Sequence, residues 1–213
     1  MKKSIFLVLL VAVSLGLGSM LAFAAHAAEN AKSSASVSTE EDNKLSLLQA
    51  VEKKYVSFSA QGNSIQSSYI RIQNLTGRKL HLVIPAGTFL NANSGSVQNM
   101  VFTHPKDIIL SPKQQYSGSV RTACMNIHRD IPGGNNSFGI DQHPDSHLLA
   151  KVIKLLNKGN YPYSVIQAAV WIVTDDASYD DTGILQGQFS GRVISHDDYQ
   201  KAVSIVNQAK KMQ

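Results

Sequence analysis

A chain of 213 residues with a formal charge of +5 has room for one domain, or for two small ones on a shared core. Its basic residues form neither a dense Lys/Arg tract nor a stripe with interleaved aromatics, which excludes a nucleic-acid footprint. A single cysteine, Cys124, excludes an intramolecular disulfide.

Residues 1–27 have the three parts of a secretory leader. Met1-Lys2-Lys3 is a short basic start, an apolar run extends from Ile5 to about Ala24, and Ala25-His26-Ala27 puts small residues where a signal peptidase reads. Cleavage is expected after Ala27, with Ala24 as the alternative. The rival reading is an uncleaved anchor, because the run is nearly long enough to span a bilayer. No other stretch is that apolar, so no membrane span is expected after cleavage. The mature protein is expected to be exported and to work in the periplasm, at the cell surface or as a secreted protein.

Residues 28–43, AENAKSSASVSTEEDN, are polar and rich in Ser and Ala, and read as a flexible linker. Residues 44–128 read as a short helix followed by strands. Leu45, Leu47, Leu48 and Val51 suit the helix. Ile70 and Ile72 alternate with polar residues, and Leu80, Leu82 and Ile84 form a second period-two run. Thr88–Leu90, Val97–Thr103, Asp107–Leu110 and Ser117–Ile127 are further strand candidates, separated by Gly, Pro and Asn turn signals. Residues 129–144, RDIPGGNNSFGIDQHP, break the pattern.

The period then becomes helical. A first helix is expected from Asp145 to about Lys158, with Leu148, Leu149, Val152, Ile153, Leu155 and Leu156 as its apolar stripe and Gly159 as its stop. A second begins near Ser164, and a third opens at Ser195-His196-Asp197-Asp198. Strands first and helices second predict an α+β fold: an antiparallel β-sandwich, with the immunoglobulin arrangement as one form, and a three-helix segment within 129–213 packed on it. No internal repeat, GxGxxG, P-loop or GxSxG occurs.

Two short motifs carry candidate chemistry. Ala123-Cys124-Met125-Asn126 ends the last predicted strand of the first block, and Ile166-Gln167-Ala168-Ala169-Val170-Trp171 lies at the start of a helix, with Gln167 43 residues after Cys124. Together they resemble the motifs of the bacterial thioester domains of surface adhesins, in which a Cys precedes an apolar and a polar residue and a Gln sits in an apolar frame. The resemblance implies that Cys124 Sγ and the Gln167 side-chain carbonyl join with loss of ammonia. It also implies that an amine on an unidentified protein or surface ligand opens the bond and stays attached through Gln167. Such a site needs a thiol and an amide held together, because an amide is a poor acyl donor. Ile166, Val170 and Trp171 would exclude water, His128 or His147 would assist, and N–H groups at the helix start would polarise the carbonyl or lower the thiol pKa.

Plainer readings stand beside it. Ser164-Val165-Ile166-Gln167 is a capping box, in which Gln167 would reach back to the cap amide. Cys124 is then a buried thiol in a noncovalent binding or structural module of the cell envelope. Cys124 with a histidine, His147 foremost, and Asp175 or Asp176 is also the residue set of a cysteine hydrolase. No hydrolase signature surrounds the cysteine, and a non-enzymatic protein is expected. His128, His143 and His147 with Asp141 and Asp145 are zinc-ligand types, but His143 precedes Pro144 and need not share a helix face with His147. They read as solvated loop histidines, and no cofactor or metal is expected.

Overall fold

The computed structural model describes residues 44–141, 146–185 and 191–212. The leader at 1–27 and the linker at 28–43 lie outside the described residues, as do His143 and Asp145. The strands in chain order are β1 (Lys44–Ser46), β2 (Val56–Ser64), β3 (Ser67–Asn74), β4 (Leu80–Ile84), β5 (Phe89–Ala92), β6 (Met100–Phe102), β7 (Lys106–Leu110), β8 (Gln115–Cys124) and β9 (Ser137–Asp141). Six of them close into a barrel in the order β2-β3-β8-β6-β5-β9, and the other three form a sheet in the order β1-β4-β7.

Alternation drives the closure. On β3, Ser68, Ile70, Ile72 and Asn74 are buried while Tyr69, Arg71 and Gln73 are exposed, so one face of the strand turns inward. Ile70, Ile72, Val120, Cys124, Met100, Phe102, Leu90 and Phe138 join one core cluster. The three-stranded sheet adds Leu80, Leu82, Ile84, Ile108 and Leu110 to the same cluster.

The architecture is α+β, as the order of the two blocks predicts, but the strands close on themselves and do not form a sandwich. The segment responsible is in the supposed break. Ser137–Asp141 is strand β9, which pairs antiparallel with β5 and with β2 and so joins the two edges a sandwich would leave open. The Gly-rich segment before it serves the approach: a Cβ on Gly62 of β2 would stand 2.6 Å from Gly133 O, and Gly62 N–H donates to Asn136 O at 2.9 Å. A second feature beyond the strand pattern is β1, which runs parallel to β4 with Lys44 opposite His81.

The helices are α1 (Leu47–Glu52), α2 (Ser146–Gly159), α3 (Tyr163–Asp175) and α4 (His196–Lys210), with a 3-10 turn at Asp181–Ile184. α1 starts on a capping box of Ser46 and Gln49. α2 buries Leu149, Val152, Ile153 and Leu156, one helical stripe. α4 starts at Ser195, whose side chain accepts from Asp198 N–H, and buries Ala202, Ile205, Val206 and Ala209. Phe89, Val101, Ala123 and Met125 from the strand block meet Leu149, Ile153 and Val170 from α2 and α3 in a second apolar cluster. α2 and α3 therefore cover strand positions that alternate with the barrel-lining ones, and the end of β8 is buried on both sides.

Candidate functional site

The site is created where β8 outruns its neighbour. β3 pairs with β8 only as far as Ser67 opposite Arg121, and one more bond runs from Thr122 N–H to Gln66 O. The chain then turns back into β2. On the other side β6 continues, with Met100 opposite Cys124 and Met125 N–H donating to Asn99 O. In an antiparallel ladder a residue's N–H and C=O point to the same side, and successive residues alternate. Thr122 and Cys124 thus face the β3 side, and at Cys124 that side holds no strand. Each buried backbone group left without a partner there would cost about 1–3 kcal/mol.

Gln167 supplies the missing partner. Cys124 N–H donates to Gln167 Oε1 at 2.9 Å, and Gln167 Nε2 donates to Cys124 O at 2.7 Å. The side-chain amide stands where a strand backbone would, and both residues are 0% exposed. The two residues singled out in the sequence are thus in direct contact, with the carboxamide on the main chain of the residue that bears the thiol.

The helix explains the aim of Gln167. Tyr163, Gln167 and Trp171 are four apart and share one face of α3. The Tyr163 hydroxyl donates to Gln167 Oε1 and also faces Ile65 O in the β2–β3 turn at 2.6 Å. Trp171 Nε1 donates to Gln98 Oε1 at 3.3 Å, and Gln98 Nε2 donates to Arg129 O at 3.0 Å. At the far end of α3, Asp175 Oδ2 accepts from Asn126 N–H at 3.1 Å. Asn126 has φ 65°, a left-handed conformation that Asn tolerates, so the chain turns away just after β8. α3 therefore holds the Cys124–Asn126 segment at two points.

The capping-box reading of Gln167 does not hold. α3 starts one residue earlier than predicted, with Pro162 at the cap and no side-chain cap bond. Gln167 is in the second turn, and the Ser164 hydroxyl donates to Asp198 Oδ2 of α4 at 2.8 Å. The expected help from the helix N-terminus is absent too. Val165 and Ile166 N–H are taken by Pro162 O, and the donors on Gln167 Oε1 are Cys124 N–H and Tyr163 O–H. Nor is the thiol acidified: burial pushes the Cys124 pKa up to about 12. Burial, with the charge of a Cys124 thiolate second, also holds the Tyr163 phenol well above its ordinary value. At neutral pH both groups keep their protons.

Of the apolar frame, Val170 and Trp171 are fully buried and Ile166 is half-buried against both apolar clusters. Cys124 Sγ faces Met100 Sδ at 3.4 Å and Ile65 O at 3.8 Å, and no imidazole is among these partners. His128 and His147 are exposed. Asp175 is bonded to Asn126 and to the Thr174 hydroxyl. Among the described residues no three His, Cys, Asp or Glu side chains are grouped to hold a metal ion, and no helix is long and apolar enough to cross a membrane. Sequence reasoning missed Tyr163 and Ile65. The four-residue step from Tyr163 to Gln167 was a usable signal for the first, whereas only the tertiary fold brings the second near.

Set against known proteins, the chain matches no protein-family model, no curated protein sequence and no solved structure.

Proposed function

We propose that this is an exported, non-enzymatic module for covalent capture, in which Cys124 and Gln167 form an internal thioester. The observation that carries the reading is the paired hydrogen bond between the Gln167 carboxamide and both backbone groups of Cys124, in a seat closed to water. In the closure, the Cys124 Sγ–Gln167 Cδ bond forms and the Cδ–Nε2 bond breaks. The thiol proton leaves with the nitrogen as ammonia. An amine on a partner then attacks Cδ, becomes an amide of Gln167 and returns the proton to sulfur. A thiol with a pKa near 12 is a poor nucleophile for repeated turnover. It suffices for a reaction that each molecule performs once, with proximity supplying the rate. The sequence of the leader supports export.

A second reading rests on the same hydrogen bonds. With both amide atoms satisfied, Gln167 also serves as a lock between α3 and β8 in a noncovalent binding or structural module of the cell envelope. The intact mass of protein purified without amines separates the two. The thioester gives a deficit of about 17 Da, one ammonia, and methylamine then adds to the chain. Neither change occurs in Cys124→Ala or Gln167→Ala. The full calculated mass, with one thiol titrating on denaturation, would sink the thioester and leave the lock.

A further inference from the structure

We infer that Tyr163 is a catalytic residue of the acyl chemistry at Gln167, its hydroxyl and the Cys124 N–H forming an oxyanion hole around Gln167 Oε1. The inference rests on the thioester reading and adds to it the group that lowers the barrier.

The hydroxyl has one hydrogen and faces two oxygens, Gln167 Oε1 and Ile65 O. While Gln167 is a neutral amide the two carbonyls compete for that hydrogen. Attack of sulfur on Cδ sends the carbonyl π pair to Oε1, and the negative charge there draws the hydrogen away from Ile65. The Tyr163 bond is thus stronger in the transition state than in the resting amide, which is the condition for acceleration. Cys124 N–H, 2.9 Å from the same oxygen, is fixed by the strand and needs no rearrangement. When the tetrahedral centre collapses, the pair returns to re-form C=O and Nε2 leaves as ammonia with the thiol proton. Opening by an amine passes through a tetrahedral centre at the same carbon with the charge on the same oxygen. The same two donors therefore serve both directions.

Ile65 contributes by position. Its carbonyl lies within reach of the Tyr163 hydroxyl and of Cys124 Sγ, and holds the phenol over the amide from the β2–β3 turn. Tyr163 and Ile65 are half-buried, whereas Cys124 and Gln167 are fully buried.

The test follows closure in time. Chain recovered unfolded, with Gln167 still an amide, is refolded by dilution, quenched in acid at intervals and weighed. Tyr163→Phe keeps the ring and loses the hydroxyl. It should close about 100- to 1,000-fold more slowly than wild type, and methylamine should open its finished thioester more slowly by a similar factor. Its thermal transition reports whether it folds. As a second measurement, 3-fluorotyrosine at position 163 keeps the shape and makes the donor more acidic, and closure should speed up. Wild-type rates in both variants would overturn the role of Tyr163 while leaving the thioester intact. A wild-type chain that never loses ammonia would overturn the thioester reading, and this inference with it.

Discussion

The two ends of β8 are built on different terms. From Gln115 to Arg121 the strand pairs residue for residue with β3, from Gln73 to Ser67. Its exposed positions outnumber its buried ones, and its ladder is a row of interchangeable backbone bonds. From Thr122 to Cys124 every residue is buried, β6 runs on one side, and the other side is closed by Gln66 O and by one side chain, Gln167. The regular end is tolerant because no single residue makes it. The far end depends on one residue for both the N–H and the C=O of Cys124, and that dependence is what brings an amide to a thiol.

Substitution of Gln167 should break the comparison most strongly. Gln167→Ala removes a fully buried side chain and orphans two buried backbone groups, a loss of about 3–5 kcal/mol in urea unfolding. A loss within about 0.5 kcal/mol would mean that the end of β8 is held by other contacts.

Titration gives the next largest effect. In chain with a free thiol, Cys124 is raised from 9.0 to about 12 by burial, so the folded state keeps a proton that the unfolded chain releases. That contribution to stability is complete below pH 9.0 and is lost as pH rises towards about 12. The slope reaches at most about 1.4 kcal/mol per pH unit in that window. Cys124→Ala should remove it from the pH dependence of the unfolding free energy.

At the tolerant end, Ser119 is exposed on β8 and pairs with Tyr69 through backbone alone. Ser119→Ala should change stability by no more than about 0.5 kcal/mol, measured by the same urea titration. A larger loss would erase the contrast between the two ends.

Much of this frame can be read from the sequence, where a local rule applies. The alternation at Ile70 and Ile72 and at Leu80, Leu82 and Ile84 marks β3 and β4, and Ser195 marks the start of α4, because each signal lies within a few residues of its effect. Closure of the barrel cannot be read that way. β9 follows Gly133-Gly134-Asn135-Asn136 and owes its pairing to β2 and β5, strands more than forty residues away. Ser164 misleads for a related reason: Pro162 sets the helix start, and Asp198 on α4 competes for the hydroxyl. At the site, residue chemistry singles out Cys124 and Gln167. Their contact follows from the length of β3, which no motif encodes.

The bond from Gln167 Nε2 to Cys124 O uses a donor that only an amide has. If water in place of an amine opens the acyl bond, or if Gln167 deamidates by any route, a glutamate remains. An oxygen then faces a carbonyl oxygen across a gap of 2.7 Å that was set for a hydrogen bond. Two acceptors repel, so the glutamate either holds a proton, which restores a hydrogen bond to Cys124 O, or leaves and loosens the strand end. Nothing in that exchange restores the nitrogen. The protein would be single-use: a copy opened by an amine regains a nitrogen at Cδ, and a copy opened by water ends as a glutamate with an oxygen in its place.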